Sequence, residues 1–137
     1  MYNYINKFII PNLNITIGVI FMFNLFKKKQ IDLLKINKFC DWFIQNSDLI
    51  IESVKNSNND RATMMKYLDL VETELAKVYR DFYKGEIHFG YGPNSKTNKW
   101  VLDLCHFNKK PLIKITTLIQ EKLTNELGDR WTINIMK

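Results

Sequence analysis

The stretch that decides the fold is Asp60 to Tyr91, DRATMMKYLDLVETELAKVYRDFYKGEIHFGY, because its hydrophobic period changes once along its length. Met64, Leu68, Val71, Leu75, Val78 and Phe82 follow one another four and three residues apart in turn, the one-sided seam of an amphipathic helix. Asp60 supplies the short acceptor side chain of an N-cap. The spacing predicts a helix over 60–83, about 36 Å long at about 1.5 Å per residue, ended by Gly85. Beyond Gly85 the period becomes two: Ile87, Phe89 and Tyr91 alternate with Glu86, His88 and Gly90, as in a half-buried strand.

Upstream, Ile31 to about Val54 is also helical, with Ile36, Phe39, Phe43 and Ile50 on the seam and Leu33, Cys40, Trp42, Ile51 and Val54 widening it. Asn46 falls where that seam wants a hydrophobe, and Ser47 and Asp48 follow it. The sequence therefore predicts either a kink with a new N-cap or a buried amide in need of partners. Lys55 to Asn59 reads as a loop. A heptad pattern of under three repeats points to a helical hairpin, so the two helices should pack antiparallel. Downstream, Gly92 to Lys99 is a polar connection to a second strand, Trp100–Phe107, with Trp100, Leu102 and Leu104 on one face. Pro111 opens a third helix carrying Leu112, Ile115, Ile119 and Leu123, with Gly128 as its left-handed cap. Trp131 to Met136 closes the chain as a strand burying Trp131, Ile133 and Ile135. The order is ααββαβ, an α+β domain over residues 31–137 with a three-stranded sheet. The crossover rule makes strand three parallel to strand two, and seating it beside strand one gives the order 2-1-3 with antiparallel neighbours throughout.

Length and composition agree with one ordinary domain: 137 residues, 46% hydrophobic and 25% charged. The formal net charge is +6, yet of 20 basic residues only Arg61, Arg80 and Arg130 are arginine. Lysine is a flexible point charge, whereas nucleic-acid recognition draws on bidentate guanidinium, so a nucleic-acid partner is not expected. Cys40 and Cys105 lie in apolar contexts without paired spacing, which reads as buried thiols in a reducing compartment.

Residues 1–30 read as an apolar, basic N-terminal extension. Phe8 to Phe26 is uncharged and is followed by Lys27, Lys28 and Lys29, the length and flank of a membrane anchor. Its interior holds Pro11, Asn12, Asn14, Thr16, Gly18 and Asn24, which suit a bilayer poorly. No small-residue cleavage site follows, as a signal peptide would require. The alternation of Leu13, Ile15, Ile17, Val19, Phe21, Phe23 and Leu25 also admits a strand. The run from Met22, MFNLFKKK, resembles the start of a cytoplasmic protein, which makes the preceding residues a translational extension. Translation from Met1 or from Met22 stays open at this point.

The run Phe39-Cys-Asp-Trp-Phe-Ile-Gln-Asn46, followed by a second helix, a hairpin, a helix and a Trp131-Thr-Ile133 strand, resembles small uncharacterised bacterial α+β proteins with a Trp-Phe-x-x-Asn first helix. The resemblance spans roughly 31–137. It implies the order of elements and no activity.

Candidate chemistry is sparse. His88, Cys105 and His106 are the soft-ligand residues, but strand alternation places the two histidines on opposite faces, so no metal site is expected. Cys105 beside His106 cannot form a thiol–base pair, since strand neighbours point apart. Glycine-rich phosphate motifs are missing, because Gly90-Tyr-Gly-Pro93 lacks a third glycine and a following helix. A His88–Asp103 cross-strand pair is the one arrangement that an enzyme could use, and no cofactor is implied. The sequence thus points to a non-catalytic, cytoplasmic binding domain whose partner is another protein, in an immunity-like or adaptor role. Its expected contact residues are Tyr79 and Tyr83 on helix two with Lys96 and Lys99 of the 92–99 loop. The alternatives are a small enzyme using His88 and Asp103, or a domain tethered to a membrane through residues 8–26. Exposed sheet edges leave edge-paired homodimers open.

Overall fold

The computed structural model describes residues 29–137. The anchor, strand and extension readings of residues 1–28 lie outside the described residues. The elements of the folded unit are α1 (Leu33–Lys55), α2 (Arg61–Tyr79), β1 (Phe89–Asn94), β2 (Lys99–Cys105), α3 (Lys110–Leu127) and β3 (Trp131–Met136), the ααββαβ order of an α+β fold. No helix among the described residues is long and apolar enough to cross a membrane.

Local chemistry starts the first two helices. The Asp32 carboxylate accepts from the Leu34 and Lys35 N–H groups at 3.0 and 3.3 Å, and Asp60 accepts from the Thr63 N–H at 3.0 Å and its hydroxyl at 2.6 Å. The Thr63 hydroxyl and N–H hold the Asp60 carboxyl below its ordinary value. α1 runs unbroken through Asn46. The seam passes through Phe39, Phe43, Ser47 and Ile50, so Ser47 takes the core position expected of Asn46. The Asn46 amide donates to the Trp42 carbonyl at 2.8 Å, while Ser47 and Ser53 donate to the Ile44 and Ile50 carbonyls. Each of these groups is satisfied by its own helix, and neither a break nor an orphaned amide results.

α2 ends at Tyr79, a turn earlier than its seam suggests. Tyr79 is fully buried and its hydroxyl donates to the Cys105 carbonyl at 3.2 Å, which fixes the helix end against β2. The chain then leaves the helix, and the Arg80 guanidinium donates to the Gly85 carbonyl at 2.5 Å. Gly128, expected as a left-handed cap, does not act as one. Gly128 has φ −63°, and positive φ occurs instead at Asn98, Phe107 and Asn108.

The sheet order is β1-β2-β3, with β1 antiparallel and β3 parallel to β2. This corrects the 2-1-3 seating, and the ladder shows why. The Trp100 and His106 N–H groups donate to the Arg130 and Met136 carbonyls at 2.9 and 3.0 Å. Even-numbered β2 residues therefore face β3, and odd-numbered ones face β1. In the observed register Pro93 lies opposite Trp100, so Pro93 points away from β2, at the free edge. A proline has no N–H to give a second neighbour, and seating β3 there would cost a ladder bond. The same parity leaves Trp131, Ile133 and Ile135 with main-chain groups facing outward from β3. Gln120 of α3 accordingly reaches the Ile133 carbonyl, donating at 2.8 Å.

All three helices pack on the sheet face that carries Leu102, Leu104, Trp131 and Ile133. Trp131 is at the centre: its ring meets Phe43 edge-on at 5.1 Å and Trp100 at 5.9 Å. Cys40 is wholly buried in the same core, and burial pushes its thiol up to about 11.

Candidate functional site

The other sheet face has no helix over it among the described residues. Alternation fixes its composition: Gly90, Gly92 and Asn94 from β1, Lys99, Val101, Asp103 and the buried Cys105 from β2, and Thr132, Asn134 and Met136 from β3. At its β1 side lies a shallow depression of ≈ 670 Å³, lined by Gly90, Gly92, Lys96, Val101, Asp103 and Asn134 among others. Asp103 is held in place by the Asn134 amide, which donates to it at 3.0 Å across the parallel pair. Asn94 folds the loop above this floor, accepting from the Lys96 N–H at 3.0 Å, and Asn98, at φ 58°, turns the chain back.

Among the described residues nothing requires Gly90 and Gly92 to be glycine. Neither has a positive φ. A Cβ at Gly92 would meet nothing within 4 Å, and one at Gly90 would find only the Asp103 carboxylate, at 4.0 Å. Glycine in a strand interior weakens the strand, and an unforced one leaves the backbone open to close approach from outside. The face thus offers bare main chain, the Asp103 carboxylate, the Asn94 and Asn134 amides and the exposed Lys96, which is equipment for hydrogen-bonded contact.

The residues expected to bind do not form one patch. Tyr79 is core, 0% exposed, and burial pushes its phenol well above the ordinary value. Tyr83 is half-buried, stacked on Phe107 at 4.4 Å with the Lys109 ammonium 5.9 Å from its ring. Lys99 donates to the Gly128 carbonyl at 2.6 Å and ties the turn end of the hairpin to the α3–β3 connection. Lys96 alone of the four is exposed on the candidate face. Because Phe89 pairs with Leu104 and Asn94 with Lys99, Tyr83 and Lys96 sit at opposite ends of β1, roughly 20 Å apart at about 3.3 Å per residue.

His88 and Asp103 are not brought together as a pair. Asp103 lies opposite Gly90 and is engaged by Asn134. His88 precedes the strand, largely exposed, with its Nε2 3.6 Å from Glu86 and its ring 5.3 Å from Phe107. His106 is buried and its Nδ1 accepts from the Asn108 N–H at 2.9 Å, so that nitrogen carries no proton. Among the described residues no three His, Cys, Asp or Glu side chains converge as metal ligands. Sequence reasoning missed the Asp103–Asn134 pair, which needs the parallel register to be seen. The Gly-Tyr-Gly run was its one available signal.

Tyr79→Phe tests the structural assignment of that residue. Removing the hydroxyl leaves the buried Cys105 carbonyl without its donor and is expected to lower stability by about 1–3 kcal/mol in urea denaturation. An unchanged midpoint would show that the bond contributes nothing.

No family model, curated protein or solved structure matches the chain.

Proposed function

We propose that this domain is a non-catalytic protein-binding module of the cytoplasm, of immunity-like or adaptor type, which receives its partner on the uncovered sheet face. The observation that supports this reading is the floor of Gly90 and Gly92, where the described residues leave space above the main chain and none of them requires it to be bare. A partner's backbone or a side-chain tip can come close there, with Asp103, Asn134 and Lys96 around it to fix orientation. The net charge of +6 favours acidic proteins at encounter.

Gly92→Leu is the test. The position has ordinary φ and free space, so the variant should fold with stability equal to or slightly above the parent, since a strand loses a glycine. Capture of a stoichiometric partner from native lysate by the parent chain, lost at least tenfold in Gly92→Leu, is the expected result. Equal capture by both would remove the sheet face from the contact.

A further inference from the structure

We infer that β3 is a self-pairing edge: two copies of this chain join antiparallel along Trp131–Met136, about a two-fold axis at Ile133, into one continuous sheet. Edges that must stay single are normally guarded by proline, charge or a bulge. β1 carries such a guard in Pro93 at its outward edge. β3, Trp-Thr-Ile-Asn-Ile-Met, has no charge, no proline and no glycine, in a chain where 25% of residues are charged.

A second observation lies on the helix beside that edge. The Gln120–Ile133 bond marks the side of α3 that borders β3, and the residues stacked with Gln120 at helical spacing are Ile113, Thr117 and Thr124. All are uncharged and Ile113 is 41% exposed, while the flanking exposed positions Lys114, Glu121 and Glu126 carry charge. Strand and helix stripe coincide in one uncharged strip, while the exposed residues beside it are charged.

Parity selects the register. The outward residues Trp131, Ile133 and Ile135 have to meet outward residues of the second copy, and the two-fold at Ile133 matches all of them: Trp131 faces Ile135, and Ile133 faces itself. Thr132 then lies opposite Asn134 on the open face. Asp129 lies opposite Lys137, so the ends of the pairing carry complementary charge. The core faces of both copies remain on one side, which keeps the helices together. Gln120 does not prevent this, because the Ile133 carbonyl has a second lone pair.

The test uses the full chain. Sedimentation velocity at about 100 μM is expected to show a dimer. Thr132 and Asn134 form a closely spaced, non-hydrogen-bonded pair in this register, with Cα atoms about 4.5 Å apart, inside disulfide range. A mixture of Thr132→Cys and Asn134→Cys chains should therefore oxidise to a covalent heterodimer, at least tenfold in excess of either variant alone. Ile135→Pro removes an N–H that makes no bond to β2 and should leave a folded monomer. A monomeric parent, a mixture that fails to cross-link, or a dimer that persists in Ile135→Pro would each overturn the inference.

Discussion

Trp131→Ala should remove a large part of the domain's stability and lower its melting temperature steeply. Trp131 is 1% exposed, joins β3 to α1 through Phe43 and to β2 through Trp100, and is the largest side chain in the core. Large-to-small changes of this kind cost about 3–5 kcal/mol, against a total stability of about 5–15 kcal/mol for a domain. Trp131→Phe separates shape from chemistry. The indole N–H is buried with no acceptor among the described residues, so phenylalanine loses volume but also removes an unsatisfied donor. Far-UV circular dichroism through a thermal scan should show Trp131→Ala melting far below the parent, and Trp131→Phe much closer to it. Both variants lack the indole N–H, so the gap between them measures the packing of the ring, and equal losses would mean that ring volume is not what Trp131 contributes.

Stability should also fall steeply in alkali. Burial raises Cys40 to about 11, Tyr91 to about 12 and Tyr79 further, whereas in the unfolded chain the thiol titrates near 8.5–9 and the phenols near 10. The folded state holds these protons more tightly than the unfolded state. Their contribution is therefore complete below about pH 8.5 and is lost as pH rises, first through the Cys40 interval and then through that of the tyrosines. Each group removes up to about 1.4 kcal/mol per pH unit, so Cys40 alone accounts for roughly 2–3 kcal/mol. Urea denaturation at pH 8 and at pH 10.5 measures the loss. A Cys40→Ala, Tyr79→Phe chain should flatten the profile, and a parent whose midpoint does not move between those values would refute the burial of these protons.

Much of this architecture could be read directly from residue spacing. The seam from Met64 to Val78, the Asp60 cap and the alternation after Gly85 place α2 and β1, because each depends on local geometry alone. What depended on tertiary geometry was misread. The extra turn assigned to α2 is instead an irregular turn in which Tyr79, its hydroxyl on the Cys105 carbonyl, is set by a residue far along the chain. Pro93 held the information needed to make β1 an edge strand, but only the register shows that its nitrogen points away from β2. Phe107 adopts φ 53°, a conformation that an aromatic side chain disfavours and that no propensity would assign. The same distinction governs the site. Gly90 and Gly92 are visible as letters, whereas the space above them is a property of the folded sheet.

The odd–even orientation of the edge strands has a consequence for solvent exchange. In β3 the amides of Thr132 and Asn134 point to β2, while those of Trp131, Ile133 and Ile135 point outward, and in β1 Gly90 and Gly92 are inward and Phe89 and Tyr91 outward. Deuterium should therefore enter both strands at every second position, with neighbouring amides differing by orders of magnitude in rate, because the inward ones wait for larger openings of the domain. In a β3-paired dimer the alternation would vanish from β3 at high concentration and persist in β1. The chain would then carry its own internal standard for which edge is occupied.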